Sequence, residues 1–315
     1  MDRSNRRTFV AAGGLAAAVA ALGRGTLSAS LKGKSATLGL GFSLYGMRTL
    51  EIQEALQTCA TIGYNCVELP VMADWPGDSA RLSAGERKAI GRALESAGLR
   101  LSALMENVRL VAGGDVLRAN LDRLEAAGEV AHALSPEKPP VIETILGGRP
   151  AQWQSVKDQV AKRLEDWARL AERMKTVIAI KAHVGGALHT PEDTVWLVER
   201  IGSPWLKCAY DYSHFQLRGL DLARSIKTMM PHTVFIHIKD SWGSADNVRF
   251  LLPGEGDVDY AEYLRLVSAG GYRGDLLVEV SGQIHGKPGY DPVAAARRSY
   301  AVLAAAFRKA GVSRG

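Results

Sequence analysis

Five apolar runs in this chain each lead into a side chain that can bind a cation or move a proton. Trp205 to Ala209 reads as a buried strand leading into Asp211, with His214 three residues further on, so a carboxylate and an imidazole share one rim. Val177 to Ile180 leads into Lys181 and His183, and Val234 to Ile236 leads into His237. Leu276 to Val278 leads into Glu279, and Pro140 to Ile142 leads into Glu143. Core packing accounts for one or two such residues. Five in succession imply a functional rim, because the carboxyl ends of the strands form the active face of a parallel α/β barrel.

Glu143, Asp211, His237 and Glu279 make a set of three carboxylates and one imidazole. Such donors suit one divalent ion of borderline hardness, Mn2+, Co2+, Mg2+ or Zn2+, with positions left for water or substrate. No cysteine stands at a rim, which excludes a thiolate-rich structural zinc site. Taken singly, each residue has an ordinary alternative: a Glu at a strand end is commonly a solvated rim residue, and a His beside a strand a hydrogen-bonded core residue. Their joint placement is what favours a metal.

The elements that must position these residues alternate along the chain. Strand-like runs begin at Ala36, Asn65 and Leu99, ahead of the five already named, and helix-like segments separate them. Ser83 with Glu86 three residues on is a capping-box pattern opening one helix, and Thr190-Pro191-Glu192 opens another with Pro at the first helical position. About eight β/α units in this length, with no linker, repeat or low-complexity tract, predict a single (β/α)8 TIM barrel over residues 31–315. An open doubly wound sheet is disfavoured, because no Gly-rich loop follows the first strand.

Residues 1–30 differ in kind. Arg6-Arg7-Thr8-Phe9-Val10 precedes an Ala/Gly-rich apolar run to Leu22, and Ser28-Ala29-Ser30 supplies small residues for cleavage. This pattern resembles a twin-arginine export signal and implies an exported, periplasmic protein that meets the twin-arginine machinery. The run is only about 13 residues, short of the roughly 20 that span a bilayer, so no stable membrane span is expected. These 30 residues hold four Arg and one Asp, so removing them takes the formal charge from +6 to +3. No Lys/Arg run follows, which gives a nucleic-acid partner little support. Cys59, Cys66 and Cys208 lie in apolar contexts without a Cys-x-x-Cys pair, and are expected to be buried thiols. The oligomeric state stays open.

Asp211-x-x-His214, His237-x-x-Asp240, Pro253-Gly254-Glu255-Gly256-Asp257, Gly271-Tyr272-x-Gly274 and Val278-Glu279 resemble the xylose-isomerase-like sugar isomerase/epimerase superfamily. The likeness covers residues 36–310, with the specific motifs between 143 and 279. It implies one divalent ion on Asp211, His237, Glu279 and a second Glu, and proton transfer beside a carbonyl. Epimerases of that family carry Glu-x-His after the fifth strand, whereas this chain has Lys181-Ala182-His183. Glu143 then stands in for the missing ligand, a pattern similar to the inosose-dehydratase branch. On this reading Glu143, Glu279, Lys181 and His183 are the catalytic set. Lys181 in the mouth beside a cation would have a depressed pKa and serve as an acid or base near neutral pH. His214 would orient Asp211 or touch substrate, Glu68, Glu106 and Trp242 are further candidates for sugar contact, and Asp240 is expected to support the His237 loop.

The resemblance implies a metal-dependent enzyme abstracting a proton next to a carbonyl of a sugar, cyclitol or keto-sugar. Return of the proton gives epimerisation or isomerisation, and loss of a β-substituent makes a lyase, either a dehydratase or a 3-keto-glycoside-cleaving enzyme. An endonuclease IV-like repair enzyme shares Asp-x-x-His but needs more histidines, and Asn247-Val248-Arg249-Phe250 lacks its Asp-x-His. A non-catalytic sugar-binding barrel is the remaining alternative, because Lys181 stands where a catalytic Glu is expected.

Overall fold

The computed structural model describes residues 37–111 and 116–315, and the export-signal reading of residues 1–30 lies outside them. Eight parallel strands form the frame: β1 (Thr37–Ser43), β2 (Cys66–Pro70), β3 (Arg100–Met105), β4 (Val141–Ile145), β5 (Ile178–Lys181), β6 (Leu206–Asp211), β7 (Thr233–Ile238) and β8 (Asp275–Val278). Each pairs with the next, and β8 pairs back to β1 through Gly39↔Asp275 and Phe42↔Val278, which closes the barrel. The predicted single (β/α)8 barrel is the observed fold.

Eight helices cover it: α1 (Ile52–Ile62), α2 (Ala84–Ala97), α3 (Val116–Leu134), α4 (Trp153–Met174), α5 (Pro191–Ile201), α6 (Leu222–Met229), α7 (Tyr260–Ala269) and α8 (Pro292–Ala310). Their starts follow the sequence. Ser83 and Glu86 close the capping box of α2, Thr190 caps α5 ahead of Pro191, and Asp259 caps α7. On α4, Val160, Leu164, Trp167 and Ala171 recur at helical spacing and are buried against the barrel, while the intervening polar residues face out. Among the elements not legible in the sequence is an antiparallel hairpin between β7 and α7, Asp240–Ser244 with Asn247–Leu251.

Inside the barrel, the two-residue period of a strand sorts the side chains into layers. The lower layer is apolar and mostly small: Cys66, Ala103, Ala179 and Ala209 pack with Phe235 and Leu277. At Gly41 a Cβ would lie 2.6 Å from Cys66 O and 2.7 Å from Leu277 Cγ, so β1 passes this layer with no side chain at all. Two residues further along the same strands lie Ser43, Glu68, Met105, Glu143, Lys181, Asp211, His237 and Glu279. These positions carry nearly all of the chain's candidate chemistry, with Glu68 and Glu143 set lower, beside Ala103 and Ala179 of the apolar set. The three cysteines are free and buried, as expected.

Candidate active site

The upper layer is an ion-pair network centred on two lysines. Lys181, the last residue of β5, puts Nζ 2.9 Å from Glu143 Oε1, 2.9 Å from His237 Nδ1 and 3.4 Å from Glu279 Oε2. Lys239, two residues past His237 and so on the same face, donates to Asp211 Oδ2 and, at 2.5 Å, to Glu279 Oε2. Each lysine is only 4% exposed.

Outer partners fix the members of this network. Ser213 donates from its backbone N and from Oγ to Asp211 Oδ1, at 3.2 and 2.7 Å. His214 Nδ1 accepts from Val184 N at 3.3 Å, which leaves the proton on Nε2, facing Asp211 Oδ2 at 3.4 Å. His214 thus faces Asp211 with its ring held by Val184 N. Asp240 accepts from Gly254 N and Gly256 N through Oδ2 and from Tyr260 Oη through Oδ1. That ties the Pro253–Asp257 loop to the end of β7, the supporting role read from the motif.

Four expected placements need correction. Glu68 lines neither cleft at the mouth: β2 runs on to Pro70, so Glu68 lies below the rim, fully buried, with Oε2 accepting from Ser43 Oγ at 2.5 Å and facing His237 Nε2 at 2.9 Å. Glu143 likewise precedes the end of its strand; its Oε1 faces Lys181 and its Oε2 has no partner, and it stands outside the triad of potential ligands formed by Asp211, His237 and Glu279. Glu106 is buried against Arg123, at 2.6 Å, and lines neither cleft at the mouth. Trp242 rides the hairpin, 53% exposed with Arg249 5.0 Å over its ring, and lines a cleft with Gln216 and Asp257 that shares no residue with the mouth.

The electrostatics follow from this packing. Burial opposes a charge on Lys181, but Glu143, Glu279, Asp211 and Glu68 outweigh it and raise the lysine's pKa, the reverse of the expected depression. Burial raises Glu143, with Lys181 and His237 opposing. Burial works to raise Glu279 as well, yet Lys181, Lys239 and His237 hold it well below the usual carboxylate range. His183 is pushed down to about 4 by burial, then by Lys181 and Lys239, so its ring is neutral at ordinary pH. It packs on His214 with ring centroids 4.2 Å apart.

Above the network lies a cleft of about 140 Å3 lined by Lys181, His183, Lys239 and Glu279, with Tyr45 and Phe250 as its aromatic walls. A broader cleft of about 490 Å3 shares Lys181 and His183 and extends past Arg109 and Arg149. Glu279 is the one carboxylate among the described residues lining the smaller cleft. Of the site, Lys239, Ser43 and Tyr45 were missed from sequence. The signal for Lys239 was its two-residue offset from His237.

Asp211, His237 and Glu279 offer potential ligand atoms within 4.8 Å of one another, and in donor type they suit a divalent ion. As arranged, they do not fit one. The two lysines contact Asp211 Oδ2, His237 Nδ1 and Glu279 Oε2, the donors on this side of the site. A dication within hydrogen-bonding range of an ammonium is repelled by on the order of 10 kcal/mol, even at an effective dielectric of 20.

Among known proteins, a putative L-ribulose-5-phosphate 3-epimerase of Shigella dysenteriae is 22% identical over 277 residues, 82% of this chain and 91% of that protein. An inosose dehydratase of Lactiplantibacillus plantarum is 25% identical over 137 residues, 39% of this chain and 46% of that protein. The solved IolI protein with a bound zinc atom superposes with a TM-score of 0.70 at 16% identity, covering 87% of this chain and 98% of that one. The profile of the xylose isomerase-like TIM barrels matches residues 56–306. The chain belongs to the xylose isomerase-like TIM barrel family.

Proposed function

We propose that this protein is an enzyme that removes a proton from the carbon beside a carbonyl of a sugar, cyclitol or keto-sugar. The observation that carries the reading is Glu279: the single carboxylate among the described residues of the smaller cleft, flanked there by Lys181 and Lys239. Glu279 takes the α proton, the C–H pair becomes the C=C bond, and the carbonyl π pair moves onto oxygen. Lys181 and Lys239 donate hydrogen bonds to that oxygen as its charge develops.

A single carboxylate at the cleft limits how the enolate can go on to product. An epimerase with two carboxylate bases would present them on both faces of the carbon, whereas one base serves transfer to the neighbouring carbon on the same face. It also serves elimination, in which Glu279 hands its proton to the departing β-hydroxyl and water leaves. Isomerisation and elimination are therefore favoured over two-base epimerisation. Relatives named as an epimerase and as inosose dehydratases support the substrate class. Export through the twin-arginine route belongs to the same proposal and rests on Arg6-Arg7 and the apolar run after them.

The test is deuterium uptake from D2O into keto-sugars, inososes and 3-keto-glycosides, followed by NMR, with and without added divalent ions. Exchange that Glu279→Gln abolishes supports the reading. A folded protein that exchanges no substrate of the panel points instead to a sugar-binding barrel.

A further inference from the structure

The candidate metal triad and the two buried lysines occupy the same place in the barrel. Lys239 Nζ bridges Asp211 Oδ2 and Glu279 Oε2, the two carboxylate donors of the triad, and Lys181 Nζ stands 2.9 Å from its imidazole donor, His237 Nδ1. Both carboxylate partners of Lys239 are donors of the triad, so an ion there would compete with Lys239 for each of them. Lys181 Nζ reaches Glu143 Oε1 on one side and Glu279 Oε2 on the other, and 4% of each lysine is exposed. Drawing Lys239 aside to admit an ion would separate a buried ammonium from both of its carboxylates, a costly state. Two ammoniums also carry the same two positive charges as one divalent ion.

We propose that Lys181 and Lys239 are the resident cations of this barrel and take the part of a divalent ion. They hold Asp211, Glu143 and Glu279 together, and on the cleft side they bind the substrate oxygen on which charge develops. Lys181 and Lys239 are then catalytic through that oxygen, and no dissociable metal is required. The substrate-facing half of this inference rests on the proton-transfer function proposed for Glu279; the charge-balancing half does not.

The experiment uses the full folded protein dialysed against EDTA. Mn2+, Co2+, Mg2+ and Zn2+ are titrated by calorimetry and by the shift of the thermal unfolding midpoint, and deuterium exchange is measured in parallel. The expected result is no stoichiometric ion binding up to millimolar concentrations, an unmoved midpoint, and exchange that persists in EDTA. Lys181→Glu, which adds a carboxylate and removes an ammonium, is expected to gain one ion per chain and a midpoint that rises with it. Wild-type protein that takes up one ion per chain with micromolar affinity and is stabilised by it overturns the proposal, whether or not the variant folds. Exchange that appears only with added ion also overturns it and leaves the proton-transfer function intact. Ion refusal without exchange on any substrate upholds the charge-balancing half and sinks the proton-transfer function.

Discussion

Glu68 and His237 meet across the barrel interior, Oε2 to Nε2 at 2.9 Å, both out of contact with solvent. With Lys181 donating to Nδ1, the remaining ring proton sits on Nε2 and points at Glu68. Burial, seconded by Lys181, disfavours a second proton on this ring, but Glu68 and Glu279 prevail and its pKa is raised. Glu68→Gln should keep the volume and lose this charge. The expected outcome is a stability loss of about 1–3 kcal/mol by urea denaturation and a fall of roughly 10–100-fold in deuterium exchange, because His237 Nδ1 positions Lys181 Nζ. Unchanged exchange would detach Glu68 from the site.

Lys181 and Glu143 are a buried pair, 4% and 0% exposed at 2.9 Å. Lys181→Met removes one partner and should cost about 3–5 kcal/mol by leaving Glu143 unpaired. Adding Glu143→Gln should restore much of that loss, so the double variant is more stable than Lys181→Met alone. Exchange should fall by roughly 10²–10³ in both, because the oxyanion donor is missing from each. Denaturation of the four proteins of the cycle, with exchange measured on each, checks this.

His183 gives stability a pH dependence. Its folded pKa, about 4, lies below its ordinary 6.5, so between those values the unfolded chain binds the proton that the folded chain refuses. Its contribution is present in full above pH 6.5 and is lost as pH falls towards 4. The span of the shift corresponds to an upper bound of about 3 kcal/mol. His214, also held well below its ordinary value by burial and then by His183, adds to the same slope. His183→Asn should flatten the fall in unfolding free energy between pH 6.5 and 4.5 relative to wild type, and an identical slope in the variant would refute the assignment.

Export makes a separate prediction. Arg6→Lys together with Arg7→Lys should leave full-length precursor in the cytoplasm, read by fractionation and immunoblot. Unchanged export of that double variant would indicate another route.

The strand ends were readable because an apolar run followed by a lone polar residue marks the point where a buried strand reaches water. That rule found Asp211, His237 and Glu279, which the fold brings together. It misjudged depth wherever a strand continued: β2 and β4 run two residues past Glu68 and Glu143, which therefore sit under the mouth. Lys239 was overlooked for the opposite reason, since the inward face of β7 persists beyond its apolar run. The pKa of Lys181 was not legible at all. Its sign depends on four carboxylates that arrive from β2, β4, β6 and the end of β8, and adjacency across a barrel is not written in chain order.

The position of the two ammoniums bears on how such a protein meets a mixed supply of trace elements. Sites built on carboxylate and imidazole take copper more tightly than manganese, cobalt or zinc, so an ion-dependent barrel is open to capture by the wrong element. A positive charge tethered by four methylenes is acquired when the chain is synthesised, and neither a chelator nor a competing ion removes it. For Lys181 and Lys239 there is no dissociation constant to satisfy.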